Sequence, residues 1–243
     1  MDATIGTSTI RPATRVAGIV PATVVDFPGR LAATVFLAGC NFRCPFCHNP
    51  ELVAGPFPSA LTVEELGEWL QERRGFLDGL CVSGGEPLLG LERVVAICRQ
   101  AKAAGLAVKL DTNGSLPKAL ARLLEAGLVD YVAVDVKASP ARYSEAVGRE
   151  VDTGRIKTTV ELLRRWGVAH QLRTTVIPRL HAARDIEALG QWIGGDSTYV
   201  LQPFHPTRAL SPNWRAEPSP PPEMLTALAE RARVYFSRVM VTL

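Results

Sequence analysis

The stretch TVFLAGCNFRCPFCHNP, residues 34–50, carries an apolar run directly into three closely spaced cysteines. The run over residues 30–38 is nearly continuous in apolar and β-branched residues, which predicts a strand buried on both faces of a parallel sheet. Cys40, Cys44 and Cys47 follow with the spacing C-x3-C-x2-C. Because parallel sheets and barrels place their active sites at the carboxyl ends of strands, we predict a thiolate site at that edge.

The three cysteines fit four kinds of chemistry. Thiolates hold iron–sulfur clusters, and a cubane held by only three of them would leave one iron open to another ligand. Cys40, Cys44, Cys47 and His48 also make a possible Cys3His zinc site. The segment from Cys44 to His48 reads C-x-x-C-H, the pattern of covalent haem attachment, although haem leaves Cys40 unexplained. A disulfide is uncommon in a reducing cytosol. The spacing favours the cluster, with zinc second.

Composition limits the class of protein. The 243 residues fit one large α/β domain, and 47% hydrophobic with 21% charged residues is ordinary for a soluble globular protein. The net charge of +3 is evenly spread, which argues against a nucleic-acid partner. The N-terminus lacks the basic and apolar segments of a signal peptide, and no stretch approaches the ~18 apolar residues of a membrane helix. We therefore predict a cytoplasmic protein that binds neither membrane nor nucleic acid.

Strand and helix patterns alternate about six times along the chain, with short connections. Alternation of this kind produces right-handed parallel crossovers, and six units in this length predict a partial (β/α)6 barrel that is open on one side. The predicted strands are 16–25, 30–38, 77–82, 106–110, 128–134, 169–177, 197–201 and a short run at 239–242. The predicted helices are 62–70, 91–104, 116–126, 155–166, 182–193 and 222–236.

The ends of the chain differ from this repeating pattern. Residues 1–14 are rich in Thr, Ser and Ala and predict a flexible leader, so that residues 15–243 form a single domain. Residues 203–222 hold seven prolines and predict a rigid surface loop over the barrel mouth rather than a linker. Residues 222–243 would then close the domain as a C-terminal helix.

Polar or unusual residues follow the predicted strands, all at the same end of the sheet. Gly84 and Gly85 allow the backbone to approach a ligand, and Glu86 offers an acceptor for an ammonium group. A plain strand-to-helix turn would give the same sequence. His205 follows a later strand, and a single histidine is more often simply hydrogen-bonded than a ligand.

Two neighbouring strand ends carry hard oxygen donors. Asp111, Thr112 and Asp135 could together hold a cation. Lys137 is two residues beyond Asp135 and therefore lies on the same side of an extended chain. The two residues fit a structural ion pair equally well.

These motifs together resemble those of a known family. Cys40-x3-Cys44-x2-Cys47 followed by His-Asn-Pro, with Gly-Gly-Glu-Pro after the next strand, is similar to the radical S-adenosylmethionine superfamily. The amino-acid sequence of residues 39–52 resembles the corresponding segment of the activating enzymes of glycyl radical enzymes. It is nearest to the anaerobic ribonucleoside-triphosphate reductase activating proteins, with the pyruvate formate-lyase activating enzyme as a relative. The resemblance covers roughly residues 15–205.

The resemblance implies a set of site residues. The three cysteines would bind three irons of a [4Fe–4S] cluster, and the fourth iron would take the amino and carboxylate groups of S-adenosylmethionine. A monovalent cation would lie nearby, held by Asp111, Thr112 and Asp135. The implied cofactor-binding residues are Gly84, Gly85 and Glu86 by the methionine amino group, Asp111 and Asp135 beside it, Lys137 by the carboxylate, Arg173 as a cofactor or substrate contact, and His205 by the adenosyl group.

The resemblance also implies an activity. An electron from a flavodoxin or ferredoxin-type donor would cleave the cofactor under anaerobic conditions, and the resulting 5′-deoxyadenosyl radical would take a hydrogen atom from a glycine of a partner enzyme. No protein side chain is then catalytic, because the cofactor carries the radical chemistry. The alternative is a radical enzyme acting on a small molecule, such as a modified-nucleoside precursor, with the same cofactor residues.

Overall fold

A single eight-stranded sheet organises the chain. The computed structural model describes residues 15–53 and 55–242, so the leader predicted over residues 1–14 lies outside the described residues. The strands pair in sequence order, with β1 antiparallel to β2 and every later pair parallel. They are β1 (Gly18–Thr23), β2 (Ala32–Leu37), β3 (Gly79–Gly84), β4 (Ala107–Thr112), β5 (Tyr131–Asp135), β6 (Ala169–Val176), β7 (Gly195–Pro203) and β8 (Phe236–Val241).

Helices connect the parallel strands. They are α1 (Val63–Gln71), α2 (Leu91–Ala103), α3 (Pro117–Glu125), α4 (Tyr143–Val147), α5 (Thr153–Trp166), α6 (Ala183–Ile193) and α7 (Pro222–Ala232). A capping box begins α1, since the side chains of Thr62 and Glu65 each bond the other residue's backbone N–H. Gly167 ends α5 in the left-handed conformation, as its position in the sequence predicts. The five-residue α4 was not predicted.

The two faces of the sheet have different chemistry. Leu80, Val82 and Leu110 are fully buried in the hydrophobic core beneath the helices. Side chains at the intervening positions point to the concave face, where Lys109 and Asp111 form a buried ion pair. Because side chains alternate along a strand, one strand supplies both the apolar core and a polar barrel interior.

The prediction of a partial barrel is confirmed. Strands β2 to β7 with their helices are the six predicted units, and β1 and β8 extend the sheet at its two edges. No pairing in the described part of the chain joins β1 to β8, so the barrel is open between them. The predicted closing helix over residues 222–243 is wrong in extent. It ends at Ala232, because Phe236 begins β8, pairs with Gly195 and stacks on Tyr199 with ring centroids 4.4 Å apart.

The proline-rich segment packs on the cysteine loop. Trp214 lies against Phe46 with ring centroids 5.7 Å apart, and the Ser211 N–H donates to the Pro45 carbonyl at 2.9 Å. Two short 3-10 turns, at residues 206–208 and 212–216, give the segment a defined path. Among the described residues, none of the helices has the length and apolar character needed to cross a membrane.

Candidate active site

The three cysteines of the loop after β2 line one cavity of about 180 Å³. Cys44 is buried, while Cys40 and Cys47 are partly exposed. The Phe42 N–H lies 3.3 Å from the Cys40 sulfur, and the Asn49 N–H bonds the Cys47 sulfur. Backbone donors of this kind adjust the charge on thiolates that bind iron.

Hydrogen bonds fasten the cysteine loop to its neighbours. The Asn41 side chain donates to the Ser115 hydroxyl and accepts from the Asn113 amide, both at 2.8 Å. Arg43 donates to the Cys40 and Phe42 carbonyls at 2.6 and 2.8 Å. Arg149 reaches from beyond α4 to donate to the Asn41 carbonyl at 2.6 Å. These hydrogen bonds fix the path of the loop.

Gly84 and Gly85 are required by the backbone of β2. A Cβ at Gly84 would lie 2.2 Å from the Leu37 carbonyl oxygen, and one at Gly85 would lie 2.1 Å from that of Gly39. The Gly85 N–H donates to Leu37, and the next N–H donates to Gly39, both at 2.8 Å. Both glycines also line the cavity. They therefore hold the entry to the cysteine loop against β3 and leave bare backbone facing the cavity.

Glu86 does not line the cavity, and its place by the methionine amino group stays a prediction. It is 1% exposed. Its carboxylate accepts from the Asn113 N–H at 2.7 Å, the Thr112 hydroxyl at 2.9 Å and the Leu88 N–H at 3.1 Å. Burial raises its pKa to about 7, against the lowering effect of these three donors. Glu86 therefore joins the loops that follow β3 and β4 through these hydrogen bonds.

Asp111 and Asp135 face the cavity from adjacent strand ends and share one arginine. Arg173 donates from Nε to Asp135 at 2.8 Å, and its terminal nitrogen lies 3.4 Å from Asp111. Lys137 donates to Asp135 at 3.0 Å. Burial alone would raise the pKa of both carboxyls, but the facing cations hold these pKa values below their usual range.

Arg173 acts through these carboxylates, because it does not line the cavity itself. Its predicted role as a cofactor or substrate contact stays a prediction. The same network bears on the cation predicted at Asp111, Thr112 and Asp135. Both carboxylates are already paired with cationic side chains, and the Thr112 hydroxyl is directed to Glu86. A monovalent metal would meet positive charge there.

Two histidines, His48 and His205, lie near the outer rim of the cavity. His48 lines the cavity and stacks on Phe204 with centroids 5.8 Å apart. Its Nε2 is buried, and it has no hydrogen-bond partner among the described residues. His205 is exposed, 6.2 Å from the His48 ring, and lies outside the cavity lining. The cofactor contact at His205 therefore stays a prediction, while the buried Nε2 of His48 is a polar atom in the wall of the cavity.

The thiols suit a cluster better than a single ion. Burial raises the pKa of Cys44 to about 12, although the Lys137 ammonium opposes this, and burial likewise raises the pKa of Cys40 and Cys47. Metal binding must therefore displace their protons. Across residues 15–53 and 55–242, no three His, Cys, Asp or Glu side chains converge on one metal position. A cubane needs no such convergence, because each thiolate binds a different iron.

Sequence reasoning missed several residues of the site. Thr175 on β6 lines the cavity. Asn41, Asn113 and Ser115 tie two loops together. Lys109 is fully buried in β4, two residues before Asp111. The available signal for Lys109 was a charge inside an apolar strand, placed on the same face as an acidic residue.

Comparisons with known proteins identify the family. Residues 34–190 match the Radical SAM superfamily. A protein of Methanocaldococcus jannaschii, provisionally named a glycyl-radical enzyme activating enzyme, is 34% identical over 230 residues, which cover 93% of this chain and 95% of that protein. The pyruvate formate-lyase-activating enzyme of Streptococcus mutans is 30% identical over 197 residues, covering 74% of this chain and 73% of that one.

Two further similarities are of different kinds. A 7-carboxy-7-deazaguanine synthase of Hyperthermus butylicus is 38% identical over 91 residues, which cover 37% of this chain and 38% of that enzyme. The structure of QueE from Escherichia coli superposes with a TM-score of 0.57 and 16% identity, over 95% of this chain and 94% of that one. This likeness shows the fold alone.

Proposed function

Because this chain belongs to the radical SAM superfamily, we propose that it is an activating enzyme that generates a glycyl radical on a partner protein. The observation that carries the proposal is the similarity to the Methanocaldococcus jannaschii protein along nearly the whole of both chains. Anaerobic ribonucleotide reductase is the first candidate partner, because the sequence of residues 39–52 most resembles that of the activating proteins of this reductase. A flavodoxin or ferredoxin-type protein is the proposed electron donor.

The cofactors would be held by the cavity. Cys40, Cys44 and Cys47 would bind three irons of a [4Fe–4S] cluster, and S-adenosylmethionine would occupy the adjoining space. When bound, these groups supply a 5′-deoxyadenosyl radical through one-electron reduction of the sulfonium. The protein's contribution is to position and shield the reacting groups.

The charged residues of the cavity suit an amino-acid group that carries both charges. Asp111 and Asp135 offer carboxylates to an ammonium, and Lys137 offers an ammonium to a carboxylate. The backbone at Gly84 and Gly85 offers polar groups without side-chain obstruction. In this proposal Asp111 takes the role first assigned to Glu86, because Glu86 is enclosed by its own three donors.

The open edge of the barrel favours a protein substrate. The sheet ends at β1 on one side and β8 on the other, so an extended loop could reach the cavity without passing through a closed ring. The alternative of a small-molecule substrate is supported by the partial identity to 7-carboxy-7-deazaguanine synthase. Both substrates would use the same cofactor residues.

The test is anaerobic incubation of the cluster-loaded protein with S-adenosylmethionine, dithionite and candidate partners, followed by EPR spectroscopy. We expect a glycyl doublet on one partner and stoichiometric release of 5′-deoxyadenosine. Cys44→Ala should abolish both signals, while Cys98→Ala, a buried cysteine on α2, should retain them. Cofactor cleavage without a radical on any partner would favour the small-molecule alternative. Undiminished cleavage by the Cys44 variant would overturn the cluster assignment.

A further inference from the structure

A fully buried lysine lies beside the carboxylates of the cavity. Lys109 is in the middle of β4 and has no exposed surface. Its ammonium is paired with Asp111 on the same face of the strand, and it lies 3.6 Å from the Cys81 sulfur. Lysine is almost never fully buried unless a partner compensates its charge. The ion pair with Asp111 therefore explains how Lys109 can be buried in β4.

Every oxygen of the two carboxylates already has a partner. One Asp111 oxygen meets the Lys109 ammonium, and the other accepts from the Ser83 hydroxyl at 3.1 Å and lies 3.4 Å from Arg173. One Asp135 oxygen accepts from Arg173 at 2.8 Å. Its second oxygen accepts from the ammonium of Lys137 at 3.0 Å.

The two carboxylates are already neutralised by side chains of the chain itself. Asp111 is paired with Lys109 and Arg173, and Asp135 is paired with Lys137 and Arg173. A metal ion added alone would bring a further positive charge into a buried site, where uncompensated charge is costly. The amino-acid group of S-adenosylmethionine instead brings an ammonium and a carboxylate together, so that group adds no net charge.

We propose that the Lys109 ammonium takes the place of a monovalent metal cation in this site, so that the protein binds S-adenosylmethionine without K⁺ or Na⁺. This inference rests on the proposed function. Lys109 is a positioning residue, since it acts through Asp111, which lines the cavity. Its ammonium supplies the single positive charge that a monovalent metal ion would bring. Because Lys109 is part of the polypeptide, this charge need not be bound from solution.

The test is the affinity of the cluster-loaded protein for S-adenosylmethionine, measured anaerobically by calorimetry. The titration is repeated with K⁺, Na⁺ or choline as the only monovalent cation at constant ionic strength. We expect the wild-type dissociation constant to be the same in all three within about twofold. A dissociation constant that falls severalfold on replacing choline by K⁺ or Na⁺ would overturn the proposal. No binding under any condition would instead refute the proposed function.

A variant series identifies the residue responsible. Lys109→Met keeps an unbranched side chain, one atom shorter, and removes its charge. We expect the affinity of this variant for S-adenosylmethionine in choline to fall about tenfold, with partial recovery in K⁺. Lys118→Met, at an exposed position on α3, should behave as the wild type. Equal affinity of the Lys109 variant and the wild type in choline would contradict the role of the ammonium. The wild-type titrations decide the question even if the variant does not fold.

Discussion

His181 makes the fold sensitive to acid, because its buried imidazole must remain neutral. The Ile177 N–H donates to Nδ1 at 3.0 Å, and Nε2 lies 3.0 Å from the Lys137 carbonyl. A backbone N–H can only donate, so Nδ1 carries no proton and Nε2 is the donor to Lys137. The residue is 0% exposed. Protonation at Nδ1 would break the first bond and bury a charge.

The size of the effect follows from the pKa. Burial lowers the pKa of His181 from 6.5 to about 4, against the raising effect of the hydrogen bond to Lys137. Between these two values the unfolded chain binds more protons than the folded one, so stability is lost as pH falls from 6.5 to 4. At 1.36 kcal/mol per pKa unit, the loss is about 3 kcal/mol. This is a large fraction of the roughly 5–15 kcal/mol that stabilises a typical domain.

The assay is urea unfolding of the reduced, metal-free protein from pH 7 to pH 4, with His181→Asn for comparison. Asparagine offers a donor and an acceptor and does not titrate. Other groups titrate equally in both proteins, so the difference between their unfolding free energies isolates His181. We expect the wild type to lose about 3 kcal/mol more than the variant over this range. Parallel curves would refute the reasoning.

Three further predictions concern the loops of the site. Gly85→Ala would place a Cβ against the Gly39 carbonyl, so we expect destabilisation of about 1–3 kcal/mol and reduced iron content, whereas Gly90→Ala meets only the movable Arg93 side chain and should retain its iron. Glu86→Ala leaves three buried donors without their acceptor, so urea unfolding should show that the free energy of unfolding falls by at least about 2 kcal/mol. An unchanged value would contradict the role of Glu86 in joining the two loops. Trp214→Ala removes the ring that covers Phe46, so a chelator should extract iron faster than from the wild type, while Trp166→Ala, half exposed on α5, should leave the extraction rate unchanged.

Much of the fold could be predicted because the alternation of strands and helices is strong and the strands are nearly continuous apolar runs. The end of α7 could not, since residues 231–235 contain neither glycine nor proline and read on as helix. There the pairing of Phe236 with β7 decides the structure. Tertiary pairing outweighs local preference at such a position.

The sequence predicts where the polar residues of the site lie, but it does not predict what their side chains contact. Each polar strand end lies where the parallel sheet predicts it, but sequence does not reveal whether a polar side chain is used internally. Glu86 is the example, because its three donors come from backbone and side chains of two separate loops. Lys109 shows the converse, since a lysine in an apolar strand can be exposed at an edge or buried with a partner, and only the curvature of the sheet distinguishes the two.

The proline-rich segment has a consequence for the order of assembly. Residues 203–222 are synthesised after every other part of the cavity, yet Trp214 and Ser211 pack on the cysteine loop. Until this segment has left the ribosome and packed, the cysteine loop is without that cover. We expect the newly released chain to take up iron and sulfide faster than the finished protein and to lose them faster to chelators. Completion of translation would then act as the step that seals the metal centre.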